Sequence, residues 1–310
     1  MRRILVIRYG GFGDIVLSMG AFRSIHAHHS GDQIAVLTTR RFGDLLAQSG
    51  YFDDVMIDDR LKPWQTGGWL ALAQLLRRRR FDRVYDLQRN ERTAILYRII
   101  AFGRAVEWSG VVRGGSHYVR DDPDDRRHIV ERLAEQLEVA GIPDMLPPDL
   151  VWLTGDIGQF ALPPSYALIV PGGAPHRPEK RASAKCFAGL GRYLVGQGIA
   201  PVLLGTESER HQIDAILASC PGAIDLSDRT GFGDIADLAR GAVGAVGNDT
   251  GAMHLAAAVG CPSLVLFSAA SDPKRVCPQG RRVHVLETER LDGLQIARLI
   301  AGWQELCLDR

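Results

Sequence analysis

Several residues that suit the binding of an anion lie together in one short turn, Asn248 to His254. The turn separates two apolar runs, an order that predicts a strand, a polar loop and the start of a helix. A helix N-terminus can hold a phosphate, and Gly251 would let such a ligand approach the backbone closely. The alternative is a purely structural turn, with Asp249 or Thr250 as the N-cap and His254 in the core.

A second stretch with the chemistry for phosphate binding follows the apolar run that ends at Val170. Gly172 and Gly173 predict a tight turn, and a basic loop comes after it. Backbone N–H groups and cations are the groups that wrap a pyrophosphate and stabilise it as a leaving group, although an ordinary solvated loop would look similar. The charged and basic side chains of this loop are His176, Arg177, Glu179, Lys180 and Arg181.

Carboxylates follow two further strands. Asp14 comes after the first apolar run and a glycine-rich turn, so it lands in the first turn of a helix, where the helix dipole stabilises it. At the edge of a cleft, the same carboxylate could be a general base that takes a proton from a hydroxyl. Glu207 or Glu209, after a later strand, could accept hydrogen bonds from a ribose or could cap a helix.

The glycines near Asp14 also raise the alternative of a dinucleotide site. Gly11-Phe12-Gly13 after a strand resembles half of the dinucleotide fingerprint, but its third glycine is missing. The second strand ends in Thr38-Thr39-Arg40-Arg41, which contains no carboxylate to hold a ribose. An NADP-dependent dehydrogenase is therefore the weakest of the enzyme interpretations.

Short aliphatic runs alternate with helical patterns along the whole chain, which is typical of βαβ units on parallel sheets. A proline-rich segment, 141–164, interrupts this alternation and predicts a linker. We expect two doubly wound domains, 1–155 and 156–310, whose strand ends line a cleft between them. The last helical pattern, Leu291 to Leu306, could pack back on the first domain.

Composition narrows the class of protein and of partner. The 310 residues include 46% hydrophobic and 24% charged residues, which is ordinary for a soluble globular protein. A net charge of +1 argues against a nucleic-acid partner, and five cysteines without C-x-x-C spacing predict reduced thiols and a cytoplasmic location. No run of 18 apolar residues occurs, so membrane contact would be peripheral.

The pair Asp122 and Asp124 could superficially hold a metal, but its charged surroundings indicate a solvated loop.

Four consecutive arginines, Arg77 to Arg80, close a predicted helix that begins near Trp69. Cations at a helix C-terminus complement the helix dipole, which is sufficient to explain them. The alternative is that these arginines, with Lys62 and an interfacial Trp64, contact an anionic acceptor or lipid head groups.

Taken together, these features resemble the heptosyltransferase family, glycosyltransferase family 9, over nearly the whole chain. The matching segments are Ile4 to Leu17, Tyr85 to Leu96, Ile169 to Phe187, Leu203 to Glu209 and Val246 to Phe267. The resemblance implies an α/β protein of GT-B architecture, with two Rossmann-like domains facing an interdomain cleft. It also implies an inverting, metal-independent transfer of heptose from ADP-heptose to a lipid-linked acceptor of the lipopolysaccharide inner core, at the cytoplasmic face of the inner membrane, without a cofactor.

The resemblance assigns a role to individual residues in each domain. Asp14 looks like the base on the acceptor hydroxyl, Lys180 like the cation on the donor phosphates, and His254 like a third catalytic residue. The first domain would bind the acceptor and the second the donor. Acceptor-binding residues would be Gly11, Gly13, Asp14 and Arg92. Donor-binding residues would be Gly172, Gly173, Lys180, Glu207, Asp249, Thr250, Gly251 and His254.

Two alternatives share this fold. A GT-B sugar-nucleotide epimerase would bind a nucleotide sugar and need no acceptor. A non-catalytic homologue would bind a nucleotide sugar without transferring it. The second alternative rests on one departure, because the family often has an aromatic residue shortly after the lysine, whereas Lys180-Arg181 is followed here by Ala182-Ser183.

Overall fold

Strands and helices alternate along the computed structural model, which describes residues 1–62, 64–173 and 178–308. The chain divides into two units, Met1–Trp152 and Leu153–Arg310. Each unit is built on one six-stranded sheet in which every strand pair is parallel. The predicted α/β class with two doubly wound, Rossmann-like sheets is confirmed.

The first unit contains six strands and six helices in its described residues. The strands are β1 (Arg3–Ile7), β2 (Gln33–Thr38), β3 (Asp54–Ile57), β4 (Arg83–Asp86), β5 (Glu107–Gly110) and β6 (His117–Tyr118). The helices are α1 (Phe12–Leu17), α2 (Met19–His28), α3 (Arg40–Gln48), α4 (Thr66–Arg79), α5 (Glu91–Ala101) and α6 (Ile129–Val139). The strand order β3-β2-β1-β4-β5-β6 places the switch point between β1 and β4, so the loops after Ile7 and Asp86 lie side by side.

Two features of the first unit differ from the sequence expectation. The helical pattern from Ile15 to His28 predicts one helix. The structure has two helices that meet at Ser18, whose hydroxyl donates a hydrogen bond to the carbonyl of Asp14 at 2.7 Å. Helix α3, at Arg40–Gln48, follows directly after the second strand, where the sequence analysis predicted no helix.

The second unit repeats the same plan. Its strands are β7 (Tyr166–Val170), β8 (Ala200–Leu203), β9 (Ile224–Asp225), β10 (Ala245–Asn248), β11 (Ser263–Ser268) and β12 (Val283–Thr288). Its helices are α7 (Ala184–Gly196), α8 (Arg210–Ser219), α9 (Phe232–Gly241), α10 (Gly251–Ala258), α11 (Pro273–Val276) and α12 (Ile296–Leu308), and three short 3-10 helices lie at Gly158–Phe160, Pro178–Lys180 and Glu207–Glu209. The order β12-β11-β10-β7-β8-β9 brings the ends of β7 and β10 together at the switch point.

Two elements of the second unit are shifted from their predicted positions. The apolar run from Ala242 to Val246 predicts a strand. The strand observed there is β10, which begins at Ala245 and has Asn248 as its last residue. The last helix begins at Ile296 rather than Leu291, and it packs against α7, β11 and β12 through Leu299 and Trp303. Within the described ranges, no helix is long and apolar enough to cross a membrane.

Candidate active site

The Asp14 carboxylate lies at the switch point of the first unit, in the first turn of α1. The Gly11 N–H donates to its Oδ2 at 2.8 Å, and the Arg8 Nη2 lies 3.2 Å from its Oδ1. The Arg8 side chain is 5% exposed, whereas that of Asp14 is 49% exposed. Asp14 therefore presents one side to solvent while a buried cation and a backbone donor fix the other.

The turn that carries Asp14 is held from the neighbouring strand. Gln88, two residues after β4, accepts hydrogen bonds through its Oε1 from the N–H groups of Tyr9 (2.8 Å) and Gly10 (3.0 Å). Gly10 has a φ of +30°, and a Cβ there would lie 2.5 Å from the Cβ of Asp14. Only glycine fits this close approach, so Gly10 and Gln88 together set the position of Asp14.

Asp86, the last residue of β4, is a buried carboxylate beneath this turn. Its Oδ1 accepts from the N–H groups of Gln88 and Arg89, both at 3.1 Å, and the side chain of Thr93 also forms a hydrogen bond with the carboxylate. Burial raises the pKa of Asp86 to about 6, although these hydrogen bonds oppose the change. The buried Asp86 carboxylate thus positions the loop next to Asp14 but lowers the stability of the fold.

We predict that Asp86→Asn raises the free energy of unfolding at neutral pH. Asparagine can accept the same two backbone hydrogen bonds without placing a charge in the interior, and a pKa shift from 3.8 to about 6 corresponds to about 3 kcal/mol. Because the folded-state pKa is the higher one, wild-type stability relative to the variant should fall as pH rises from about 4 to about 6. Urea unfolding of both proteins across this pH range measures the difference in their free energies of unfolding. Identical pH profiles for the two proteins would contradict the prediction.

Arg92, the predicted acceptor-binding residue, lies in a buried ion pair. Its Nη2 lies 2.5 Å from the Oδ1 of Asp58, whose side chain is 0% exposed, and its Nη1 donates to the carbonyl of Leu61 at 3.1 Å. Its guanidinium also stacks over Trp69, 4.3 Å from the ring centroid. Arg92 therefore joins α5 to the loop after β3 and to α4.

Arg92→Met should lower the free energy of unfolding by about 3–5 kcal/mol, because the Asp58 charge would stay buried without its partner. The matched control is Arg40→Met. Arg40 pairs with Asp59 at 3.1 Å, but both side chains are mostly exposed, so its loss should cost less than about 1 kcal/mol. Chemical denaturation measures both values, and equal costs would show that the Arg92 pair contributes no more than a surface pair.

In the second unit, three of the predicted donor residues converge near the start of α10. The Lys180 Nζ lies 3.8 Å from the Oδ2 of Asp249, and the His254 Nε2 lies 3.4 Å from its Oδ1. Ser271 joins them, since its Oγ accepts from Lys180 at 2.9 Å and donates to Asp249 at 3.1 Å. Burial opposes ionisation of Asp249, but the contacts with His254, Ser271 and Lys180 hold its pKa below the ordinary value.

The first turn of α10 has polar groups that the described residues do not satisfy. Thr250 is the N-cap, yet its side chain makes no capping hydrogen bond there. Its Oγ1 and the Nδ1 of His254 are both buried and have no hydrogen-bond partner within the described ranges. Buried polar atoms almost always have a partner in folded proteins. These groups and the N-terminal N–H groups of α10 therefore suit an anionic ligand.

Asn248 links this turn to the glycine loop after β7. Its Nδ2 donates to the carbonyls of Pro171 (2.7 Å) and Gly172 (3.0 Å), and its Oδ1 accepts from the Ala182 N–H at 3.0 Å. The side chain is fully buried. Asn248 thus holds together the two ends of the basic loop. The predicted loop residues Ala174, His176 and Arg177 lie outside the described residues.

The two glutamates after β8 have different surroundings. Glu209 is buried and accepts hydrogen bonds from Thr206 (through its N–H and hydroxyl) and from the hydroxyl of Ser208. Arg181 lies 3.7 Å from Glu209 and also donates to the carbonyl of Gly173. Glu207 is exposed. Glu209 therefore holds the loop together, which leaves Glu207 as the glutamate available to a ligand.

Comparison with known proteins identifies the family to which this chain belongs. The sequence model of Glycosyltransferase family 9 (heptosyltransferase) matches residues 69–294. The chain belongs to this family. This family 9 protein is therefore a glycosyltransferase. It is 25% identical to Lipopolysaccharide heptosyltransferase 2 of Escherichia coli (strain K12) over 326 residues, which cover 98% of this chain and 90% of that protein.

Two solved structures share the fold of this family 9 protein. One is the Escherichia coli ADP-heptose lps heptosyltransferase II, with 22% identity, a TM-score of 0.79, and coverage of 100% of this chain and 99% of that one. The other is the family 9 glycosyltransferase of Veillonella parvula DSM 2008, with 19% identity, a TM-score of 0.84, and coverage of 100% and 98%. These likenesses confirm the predicted GT-B architecture. The family match does not favour the epimerase or the non-catalytic alternative.

Several supporting residues of the family 9 protein were not identified from the sequence. Gln88 lies 78 residues from Gly10 in the chain, and no local pattern indicates that they touch. Asn248 was recognised as part of a polar turn, but its bonds to both ends of the basic loop were not predicted. Its position at the end of a strand was the one available signal, since side chains at strand ends of parallel sheets face the loops that bind ligands.

Proposed function

We propose that this protein transfers heptose from ADP-heptose to an acceptor sugar of the lipopolysaccharide inner core. The observation that carries the proposal is the convergence of Lys180, Asp249 and His254 at the first turn of α10. Two of its relatives, a lipopolysaccharide heptosyltransferase and an ADP-heptose heptosyltransferase, support the choice of substrates. The adenine base and the heptose of the proposed donor follow from its likeness to these two proteins.

On the donor side, the diphosphate of ADP-heptose would lie against the first turn of α10. The N–H groups of this turn and the Lys180 ammonium supply fixed positive potential for the charge that develops on the departing ADP. Asp249 stays ionised because its pKa is lowered, and it orients both Lys180 and His254. Gly172 and Gly173 let the donor approach the loop after β7, and Glu207 would contact the ribose.

On the acceptor side, Asp14 would act as the general base. It takes the proton of an acceptor hydroxyl as the hydroxyl oxygen attacks the anomeric carbon, and the bond between that carbon and the phosphate oxygen breaks with its electron pair leaving on ADP. One direct displacement of this kind inverts the anomeric configuration. In this proposal the positive potential comes from Lys180 and α10, and the reaction proceeds without a metal ion.

The proposed acceptor is attached to lipid, so the enzyme would work at the cytoplasmic face of the inner membrane. Gly11, Gly13 and Arg92, with Asp14, would form the acceptor side. Gly11 and Arg92 also hold other parts of the acceptor side in place. The Gly11 N–H donates to Asp14, and Arg92 anchors α5 through its ion pair with Asp58.

The test is a donor and acceptor screen read by mass spectrometry. We expect a heptosyl group on a heptose-deficient inner-core acceptor when ADP-heptose is supplied, and no product with UDP- or GDP-sugars. ADP-heptose alone should stay unchanged, whereas an epimerase would convert it without acceptor. Measurable affinity for ADP with no transfer to any inner-core acceptor would instead support a non-catalytic binding protein and would overturn the proposal.

A further inference from the structure

A cavity lined by arginines lies on the first unit, at the edge of the sheet opposite to Asp14. Its volume is about 580 Å³. It is formed at the amino ends of β1 and β4 and at the carboxyl ends of α4 and α5. Among its lining residues are Arg3, Arg77, Arg80, Asp82, Phe102 and Arg104. Strand β1 has five residues and spans roughly 15 Å, so the cavity is separate from the proposed acceptor site.

The described lining of this cavity carries more positive charge than it can neutralise. Four guanidinium groups face one carboxylate, which leaves an excess of three positive charges. That carboxylate, Asp82, already accepts from the backbone N–H of Arg3 at 2.8 Å and lies 3.8 Å from the Nη2 of Arg104. The helix dipole explains part of this charge, since the Arg3 Nη1 donates to the Arg79 carbonyl at the end of α4. The other guanidinium groups provide more positive charge than the C-terminus of one helix needs to balance its dipole.

Two of the arginines are distinguished by a side-chain contact or by their backbone conformation. The Arg77 guanidinium stacks on Phe102, 4.8 Å from the ring centroid, while the ring itself is 69% exposed at the cavity. Arg80 ends α4 with a φ of +52°, a conformation that favours glycine. Glycine would adopt this backbone conformation with less strain, yet the residue at this position is an arginine that lines the cavity.

We propose that this cavity binds a phosphate group. Guanidinium groups match the geometry of phosphate oxygens in a bidentate manner, and several of them converge on a volume that holds a phosphate together with its substituent. The phosphate could come from a phospholipid head group, for which the exposed Phe102 offers apolar contact, or from a soluble phosphate compound. This site does not depend on the proposed transferase activity, because it involves none of the residues assigned to that reaction.

The test compares two double variants that each remove two positive charges. Arg77→Gln/Arg80→Gly changes the cavity, and Arg78→Gln/Arg60→Gly is the matched control. Arg78 is an exposed arginine in the same last turn of α4, and Arg60 is an exposed arginine with a φ of +54° that lies outside the cavity. Both glycine substitutions relieve the backbone, so neither double variant should have a lower Tm than the wild type.

Binding is measured by calorimetry with inorganic pyrophosphate, and by sedimentation with vesicles of phosphatidylcholine alone or mixed with phosphatidylglycerol. We expect the cavity variant to lose about 25-fold in affinity, since each of its two arginines contributes about fivefold, and the control to retain wild-type affinity. Loss of vesicle binding alone identifies a lipid head group, and loss of a pyrophosphate-binding event identifies a soluble ligand. Binding at Lys180 would persist in both variants. No binding to either probe, or equal losses in the two variants, would overturn the proposal.

Discussion

Replacing Asp14 with asparagine should lower kcat by about 100- to 10,000-fold, the usual contribution of a general base, and leave the Kd for ADP unchanged. Asparagine has the same shape and can still accept the Gly11 hydrogen bond, which is 2.8 Å long in the wild type. The variant therefore removes the base without removing the helix cap. Initial rates of ADP release at saturating acceptor, together with calorimetry of ADP binding, measure the two effects separately.

The chain contains its own control for this variant. Residues 231–235 repeat the sequence Gly-Phe-Gly-Asp-Ile of residues 11–15, and Asp234 accepts from the Gly231 N–H at 2.8 Å, as Asp14 does from Gly11. Asp234 lies in the second unit and has no role in the proposed reaction. Asp234→Asn should keep wild-type turnover. Equal turnover in Asp14→Asn would show that Asp14 only caps a helix.

Lys180→Met should lower kcat about 100- to 1,000-fold and raise the Kd for ADP by about 10- to 100-fold. The first effect is the usual loss when one group that stabilises a developing anion is removed, and the second is the usual loss of a hydrogen bond to a charged group. Asp249 would keep Ser271 and His254 as partners, so the fold of the loop should persist. Steady-state kinetics and ADP calorimetry give both numbers.

Lys185→Met is the control for the lysine variant. Lys185 is exposed in the first turn of α7, five positions along the chain, and the substitution removes the same charge. Its turnover and ADP affinity should equal those of the wild type. If both lysine variants lost affinity to the same degree, the effect would be one of general surface charge, and Lys180 would have no specific contact with the donor.

Central strands could be predicted from the sequence because a parallel strand covered on both faces is a continuous apolar run. Ile4 to Ile7 and Tyr166 to Val170 are such runs, and each is almost completely buried. Strand β6, at the edge of the first sheet, and its neighbour β5 lack this signal. Their sequences, Glu-Trp-Ser-Gly and His-Tyr, contain too few aliphatic residues to indicate a strand. The sheets were therefore predicted at their centres and missed at one edge.

Helix α3 was missed for a different reason. The charged start of the helix, Arg40-Arg41, was interpreted as the end of the second strand, which hid the amphipathic pattern that follows. Phe42, Leu45 and Leu46 have the spacing of one helix face, and all three are buried. This apolar spacing is the signal in the sequence that predicts the helix.

Only the residues of the candidate site that follow strands of the parallel sheets could be predicted from the sequence. Asp14, Lys180 and Asp249 follow strands of parallel sheets, and the structure brings Lys180 and Asp249 to 3.8 Å. What holds them was not predictable, because the partners come from distant parts of the chain. Gln88 fixes the turn of Asp14, and Ser271 bridges Lys180 and Asp249, through contacts that only the fold creates. The catalytic roles themselves stay a proposal.

In the mechanism that we propose, Asp14 deprotonates the acceptor hydroxyl in a single displacement while ADP leaves from the opposite side of the anomeric carbon. The most direct measurement is the anomeric configuration of the new bond, read by nuclear magnetic resonance on the product made from ADP-heptose and an inner-core acceptor. We expect a configuration opposite to that of the donor. A retained configuration, or no bond between heptose and acceptor, would contradict it.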